Sequence, residues 1–301
     1  MFDPMAKLLY HGDRVKEWLD KGRTSPVLFE VALTGFCDAS CPWCFFKDQR
    51  DSHRIDTEKL MLALEDMVTL DVKAINWTGG GEPTLHPDFK HIVYHAAELG
   101  LKQGLFTNGF NKIPFQSKFE WIRISLTDRG FAPIIRPKVP FGICVNHIKL
   151  YGRQTLIKMC LQAKEMGARY FQVRPALLGS YKDQPKLEAP EYLKECADTF
   201  FDVYVTNYKY TDATEPKGYK NCYGYLFCPS IDWKGRVGTC LYLMHDKKYV
   251  LGDLNRTPLT MIWQKVTDKV KVTESCQNCC KNHEVNKILD RVKNLKAQDF
   301  I

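Results

Sequence analysis

The chain has 301 residues, 43 basic against 35 acidic side chains for a net charge of +8, and 12 cysteines. That length allows one large domain or a large one with a small one, and 45% hydrophobic with 26% charged residues excludes a disordered or fibrous chain. No apolar run approaches the ~20 residues of a membrane helix and Met1-Phe2-Asp3-Pro4 has no signal-peptide layout, so a soluble, cytoplasmic protein without membrane association is expected.

Residues 1–26 read as a polar lead-in with a short helix around Asp13–Lys21. Val27–Leu33 reads as a mostly buried strand that runs into a cysteine-rich loop. Asp56 caps an amphipathic helix carrying Leu60, Leu64 and Met67, and the strand Ala74–Trp77 follows, closed by three glycines. Pro87–Gly100 has helical spacing, with Gly100 as its stop. Gln103–Phe106, Trp121–Leu126 and Phe141–Val145 are strands, Arg153–Met166 is a helix capped by Gly167, and Tyr170–Arg174 is a sixth strand. Strands alternating with helices predict parallel βα units in an open, barrel-like α/β domain, whose chemistry gathers at the carboxyl ends of the strands.

After Leu178 the texture changes. A helix is predicted over about Pro190–Phe201, a short strand at Val203–Val205, and a hairpin at Asp232-Trp233-Lys234-Gly235 in a stretch rich in Cys, Gly and Tyr. The organisation expected is a lead-in over 1–26, a main α/β unit over 27–205, a small Cys-rich α+β unit over 206–282, and a basic helix within 283–301.

Twelve cysteines without a secretory signal point to metal or catalysis rather than disulfides. Cys37, Cys41 and Cys44 lie within eight residues, and Cys276, Cys279 and Cys280 within five. Cys222, Cys228 and Cys240 lie between, and Cys144, Cys160 and Cys196 read as small core residues. Three thiolates on one loop are one short of a closed zinc site or a fully ligated cubane. A [4Fe–4S] cube on Cys37, Cys41 and Cys44 would keep one iron open for catalysis; the alternative is a zinc knuckle completed by His53.

Cys37-x3-Cys41-x2-Cys44, with Trp43 just before the third cysteine, resembles the signature loop of radical S-adenosylmethionine (SAM) enzymes. Gly79-Gly80-Gly81-Glu82-Pro83, 35 residues further on and after the second strand, resembles that family's GGE motif. The resemblance implies a partial (β/α)6 barrel over roughly 27–178, with SAM chelating the open iron. An electron from the reduced cluster would then cleave SAM to methionine and a 5′-deoxyadenosyl radical. It further implies that Gly80 and Gly81 let the backbone approach the methionine moiety, with Glu82 at its ammonium end. Asn108 would contact SAM, Ser125 the ribose, and Phe45 the adenine; Arg174 would hold a carboxylate or phosphate, or else form a surface ion pair. One departure is that only 12 residues separate Leu126 from Val139, with prolines among and beside them, so the usual fourth helix is expected to be missing.

Cys222-x12-Gly235-x4-Cys240 followed by Cys276-x2-Cys279 resembles the shortened auxiliary-cluster domain called twitch, a relative of the SPASM domain. Its four thiolates would saturate a second [4Fe–4S] cluster, with Cys228 and Cys280 as spares; spacing alone would also permit a four-cysteine zinc site. Two clusters imply an oxidoreductase- or isomerase/transferase-type radical enzyme, with a flavodoxin or ferredoxin-like donor as partner. The radical would take a hydrogen atom from a substrate carbon, and the auxiliary cluster would assist oxidation or bind substrate. Asp128, His147 and Tyr151 stand at strand ends as candidate bases.

The substrate is left open among a peptide or protein, a nucleotide or nucleic acid, and a small metabolite. Only 36 residues precede Cys37, which weakens a ribosomal-peptide reading unless a partner supplies the leader-binding part. The charge, the basic residues Lys287, Arg291, Lys293 and Lys296, and the tyrosines at 208, 210, 219, 223 and 225 permit nucleic acid, without a recognised binding motif. The rival class is a non-catalytic iron–sulfur or zinc protein with an electron-transfer or structural role, which has no use for a SAM cradle.

Overall fold

The computed structural model describes residues 4–132, 134–176, 186–211, 217–273, 276 and 281–296. Two short helices, α1 (Pro4–Tyr10) and α2 (Gly12–Lys21), lead into strand β1 (Leu28–Ala32). Helix α3 (Thr57–Thr69) starts where the Asp56 carboxylate accepts from the Lys59 amide at 2.9 Å. Its buried stripe of Leu60, Ala63, Leu64 and Met67 covers the sheet, and β2 (Ala74–Thr78) follows. Helix α4 (Phe89–Glu98) buries Phe89, Ile92, Val93 and Ala96 before β3 (Lys102–Thr107). Then come β4 (Trp121–Ser125), β5 (Phe141–His147), α5 (Arg153–Glu165), β6 (Tyr170–Pro175) and β7 (Asp202–Val205).

Strands β1 to β7 lie side by side in chain order, each parallel to the last. Phe29, Val31, Ile75, Leu105, Ile143, Phe171 and Val173 are fully buried, as expected of parallel strands covered on both faces. The polar Gln103 in this core is satisfied: Trp77 Nε1 donates to Gln103 Oε1 at 2.7 Å, and Gln103 Nε2 to the Val93 carbonyl at 3.0 Å. Side chains from the carboxyl ends of β1 to β6 all line one cavity of about 380 Å³. A flat sheet seven strands wide could not do this, so the sheet is curled into a partial barrel.

The chain's later part adds to the same sheet. After α6 (Tyr208–Thr211), β8 (Ser230–Ile231) pairs parallel with the free side of β1, matching Glu30 to Ser230 and Val31 to Ile231. The hairpin partner β9 (Arg236–Gly238) and then β10 (Val250–Asp253) continue antiparallel, giving the order β10-β9-β8-β1-β2-β3-β4-β5-β6-β7. Helices α7 (Leu259–Trp263) and α8 (His283–Lys293) follow. The expected hairpin turn is present, with Gly235 at φ +78° and Asp232 accepting from the Lys234 and Arg236 amides at 3.0 and 2.9 Å.

Three elements differ from, or extend, the sequence reading. The strand at 203–205 is β7, a seventh parallel member of the sheet. The helix expected over Pro190–Phe201 is a single 3-10 segment, Glu191–Cys196. It buries only Leu193, and Lys164 Nζ takes the Cys196 carbonyl at 3.1 Å, so there is no apolar face to propagate and its last carbonyl is already satisfied. Between Ser125 and Phe141 none of the described residues is helical, as the short spacing implied. No described helix is long and apolar enough to cross a membrane.

The lead-in is not a loose tail. Trp18 of α2 is buried, with its ring centroid 4.8 Å from Tyr223 and 6.4 Å from Phe227, and its Nε1 donates to Asp268 at 3.3 Å. Trp18→Ala is expected to cost about 3–5 kcal/mol by opening this cavity, read as a lowered urea midpoint with an unchanged m-value.

Candidate active site

The first cysteine loop leaves β1 and is pinned at several points. Thr34 Oγ1 accepts from the Phe36 amide at 3.0 Å, and Gly35 N donates to the His53 carbonyl at 2.9 Å. Arg50 reaches the Ala39 carbonyl at 3.0 Å, Arg129 the Asp38 carbonyl at 2.8 Å, and Asn108 Nδ2 the Asp38 carboxylate at 2.5 Å. Within the loop the Cys44 amide donates to the Cys41 carbonyl at 3.0 Å, forming the turn that spaces the last two thiols. Cys37, Cys41 and Cys44 all line the strand-end cavity.

Every sequence-predicted residue of the main site reaches that cavity: Phe45, Gly80, Gly81, Glu82, Asn108, Ser125 and Arg174 line it with the three cysteines. The glycines are required by close approach. A Cβ at Gly81 would overlap the Phe36 carbonyl, and one at Gly80 would stand inside the ring of Trp233. Glu82 is 3% exposed; one oxygen accepts from Thr107 Oγ1 and Thr84 Oγ1, both at 2.7 Å, and the other from the Asn108 amide at 2.7 Å. Burial pushes its pKa up, against the lowering effect of these bonds. Glu82 thereby ties the end of β2 to the end of β3 at the cavity wall.

Phe45 stands edge-on to Tyr242 at 4.8 Å, and Phe46 stacks on Tyr242 at 5.4 Å, in a cluster with Trp233, Leu241 and Met244. Arg174 Nε donates to Asn146 Oδ1 at 3.1 Å. Of the three candidate bases, none lines the cavity: Asp128 accepts from Cys41 Sγ at 3.5 Å, His147 Nδ1 meets Tyr210 at 3.1 Å, and Tyr151 packs edge-on to Trp43.

The segment Arg123-Ile124-Ser125 resembles family positions in the sequence but gave Arg123 no role, and Glu30, Gln172, Tyr242 and Lys281 were missed; all five residues line the cavity. Alternation from Arg174 would have found Gln172; Glu30, Tyr242 and Lys281 come from other segments and carried no comparable signal. Lys281 Nζ pairs with Glu30 at 2.6 Å and approaches Ser230 Oγ at 3.2 Å and Cys228 Sγ at 3.6 Å. Burial works against its charge, but Cys228, Glu30 and Cys240 beside it keep the ammonium protonated well above the usual lysine range.

The donor sets, rich in thiols, are of the kind that iron–sulfur clusters take. Among the described residues no three His, Cys, Asp or Glu side chains converge on a single-ion site. His53, the fourth ligand of a zinc knuckle, is exposed and pairs with Asp51 at 3.1 Å. Burial pushes the Cys37 thiol up and that of Cys41 to about 11, so as ligands they would ionise beside the positive charge of a bound metal. At the second group, Asn286 Nδ2 lies 3.5 Å from Cys222 Sγ and the Thr273 amide 3.5 Å from Cys276 Sγ, donors of the kind that tune cluster-bound sulfur. Cys240 begins the short turn Leu241–Leu243, while Cys279 and the spare Cys280 lie outside the described residues. Of the three cysteines read as core, Cys144 and Cys160 are buried and Cys196 is half-buried against the core.

A parallel partial barrel with three cysteines after its first strand and glycines after its second is the architecture of radical SAM proteins. The profile of the radical SAM superfamily matches residues 31–133, and that of an iron–sulfur cluster-binding domain, SPASM, matches 222–280. The chain belongs to the radical SAM superfamily and carries a C-terminal SPASM/twitch-like domain, which together imply a SAM-binding [4Fe–4S] cluster and an auxiliary cluster. It is 28% identical to the mycofactocin maturase MftC of Mycobacterium tuberculosis over 102 residues, 34% of this chain and 26% of that protein. With the GTP 3′,8-cyclase of Actinobacillus pleuropneumoniae it shares 25% identity over 179 residues, 56% of this chain and 50% of that one. The chain thus matches between a quarter and half the length of these curated relatives. In fold it is similar to Streptococcus suis SuiB bound to S-adenosylmethionine, with a TM-score of 0.63 at 16% identity over 86% of this chain and 70% of SuiB. SuiB bound to its precursor peptide SuiA gives 0.59, over 87% and 70%.

Two outcomes test the joint between the loops. Gly80→Ala is expected to cost about 1–3 kcal/mol by overpacking against Trp233, and Trp233→Leu in the same chain should recover part of it. Strict additivity of the two changes in urea unfolding would refute the contact. Burial raises the Asp51 pKa, but hydrogen bonds from Lys234, the His53 amide and Trp233 outweigh it and hold the carboxyl near about 2. A depressed carboxyl stabilises the fold above its unfolded pKa of about 3.9 and loses that contribution as pH falls through about 2. Urea midpoints of Asp51→Asn should therefore fall less steeply than wild type between pH 5 and 2.

Proposed function

We propose that this chain is a radical SAM enzyme that removes a hydrogen atom from a carbon of a peptide substrate. The observation that carries the reading is the convergence of Cys37, Cys41 and Cys44 with Gly80, Gly81, Glu82, Asn108 and Ser125 on one strand-end cavity. When bound, the reduced cluster supplies the electron that cleaves SAM to methionine and a 5′-deoxyadenosyl radical.

The chain's own part is to hold and to shield. Cys37, Cys41 and Cys44 present three thiolates from a loop fixed by Asn108, Arg50 and Arg129, leaving the fourth coordination position to the cavity. The backbone of Gly80 and Gly81 forms a bare surface for the methionine end of SAM, Ser125 reaches the ribose, and Phe45 with Tyr242 gives the adenine an aromatic wall. Arg174, fixed by Asn146, faces the same space as a hydrogen-bond donor. We place the SAM unit at 27–205 and the auxiliary-cluster unit at 206–282, with Cys222, Cys240, Cys276 and Cys279 as ligands. Those four thiolates would hold a second cluster, which would supply a one-electron acceptor for the substrate radical left by hydrogen removal, and a flavodoxin or ferredoxin-like protein would supply the first electron. A peptide substrate is supported by the relatives, which include a PqqA peptide cyclase and SuiB with its precursor peptide.

Anaerobic reconstitution should load about eight irons per chain, and reduction with SAM should yield 5′-deoxyadenosine. Cys37→Ala, Cys41→Ala and Cys44→Ala together should abolish that product and remove about half the iron. Cys222→Ala with Cys276→Ala should remove the other half while 5′-deoxyadenosine still forms. Full 5′-deoxyadenosine yield from the first triple variant would overturn the assignment.

A further inference from the structure

The cavity contains a cation that the SAM reading does not use. Arg123 lies on β4 in register with Phe106 of β3 and Gly142 of β5. It shares the cavity face with Ser125 and, two residues earlier, lies about 7 Å deeper along the strand. Its guanidinium stacks on the Phe106 ring, 3.7 Å from the centroid, and Nη1 donates to Gln172 Oε1 at 3.2 Å. Its Nε is buried and has no hydrogen-bond partner. Both its fixed contacts are to uncharged groups.

The carboxylates of the cavity wall are committed elsewhere. Glu30 pairs with Lys281, and Glu82 receives its bonds from Thr84, Thr107 and Asn108. Burial lowers the Arg123 pKa, the direction expected of a cation whose charge is not answered locally. An arginine does not escape by losing its proton, so the chamber keeps a positive charge with an unpartnered Nε. The guanidinium edge of Nε with Nη2 offers two parallel N–H groups in one plane, the geometry that takes an O–C–O or O–P–O group bidentately. The SAM cradle lies at the ends of β2 and β3, whereas Arg123 stands below that rim on β4.

We propose that Arg123 binds an oxyanion group, carboxylate or phosphate, carried by the substrate. The assignment rests on the reading of the cavity rim as the SAM site, and it makes the substrate an anion at the end that enters the barrel. It does not require that substrate to be a peptide.

The test uses reconstituted holoenzyme with SAM bound, and isothermal titration with two probes, N-acetylglutamate amide and inorganic phosphate. Wild type should bind at least one of them, and Arg123→Met should weaken that binding tenfold or more while SAM affinity stays within twofold. Arg123→Lys, which keeps the charge but loses the fork, should fall between. Stronger binding of the first probe identifies a carboxylate substrate, and of the second a phosphorylated one. Unchanged probe affinity in both variants, or no binding of either probe to wild type, overturns the proposal. A tenfold loss of SAM affinity in Arg123→Met also overturns it, by moving the residue to the cofactor. Where Arg123→Met fails to hold iron, the Arg123→Lys comparison decides alone. Formation of 5′-deoxyadenosine by wild type is followed in parallel, so that failure of the SAM reading is seen separately.

Discussion

The indole of Trp233 sets the spacing on which the rest of the site depends. Its ring occupies the space that a side chain at Gly80 would take, and its Nε1 donates to Asp51 at 2.9 Å, while Lys234 holds the other carboxylate oxygen at 2.7 Å. The glycine motif, the return limb of the first cysteine loop and the hairpin leading to Cys240 thus meet at one side chain. Gly35 is also packed against the same indole. Since a tryptophan in a well-packed cluster has little freedom to shift, the depth of the glycine cradle and the position of the hairpin are fixed by the same contact. Ala32, Phe46, Leu241 and Met244 complete the packing around it.

Around this joint the cavity is walled by polar groups that are almost all satisfied from within. Glu82 has hydrogen bonds to both oxygens, Asn108 is held by Asp38 outside the wall, and Lys281 has Glu30 and Ser230. In a low-dielectric chamber a half-satisfied network is costlier than an apolar wall, so such groups act as rigid fixtures. The asymmetry is chemical: the side of Glu82 is closed by neutral donors, and the side of Arg123 offers an unfilled one.

Much of the barrel was legible because its signals are local. The Asp56 cap, the stripe of α3, the stop at Gly100 and the run of buried strands each depend on residues within a few positions. The main site was legible for the same reason, since two short motifs and strand ends bring its residues together. What could not be read were contacts made across the chain. Trp233 meets Asp51 across 182 positions and Lys281 meets Glu30 across 251. The 3-10 segment at 191–196 has helix-forming residues but a single buried side chain, and its tertiary surroundings decide its form. The tyrosines that suggested base stacking divide similarly: Tyr219, Tyr223 and Tyr225 are buried in packing, not presented on a surface.

The sheet order places β1, the strand that precedes the others of this sheet in the chain, in the interior of the sheet. β1 gains β2 as a neighbour soon after it is made, but Glu30 waits for Ser230, 200 residues later, to cover its other side. At typical translation speeds that interval is roughly 10–40 seconds. For that time an apolar strand edge next to a thiol-rich loop stands open in the nascent chain, a template for wrong pairing. Pairing of β8 with β1 closes that edge and seats the β8–β9 hairpin that leads to Cys240 in the same event.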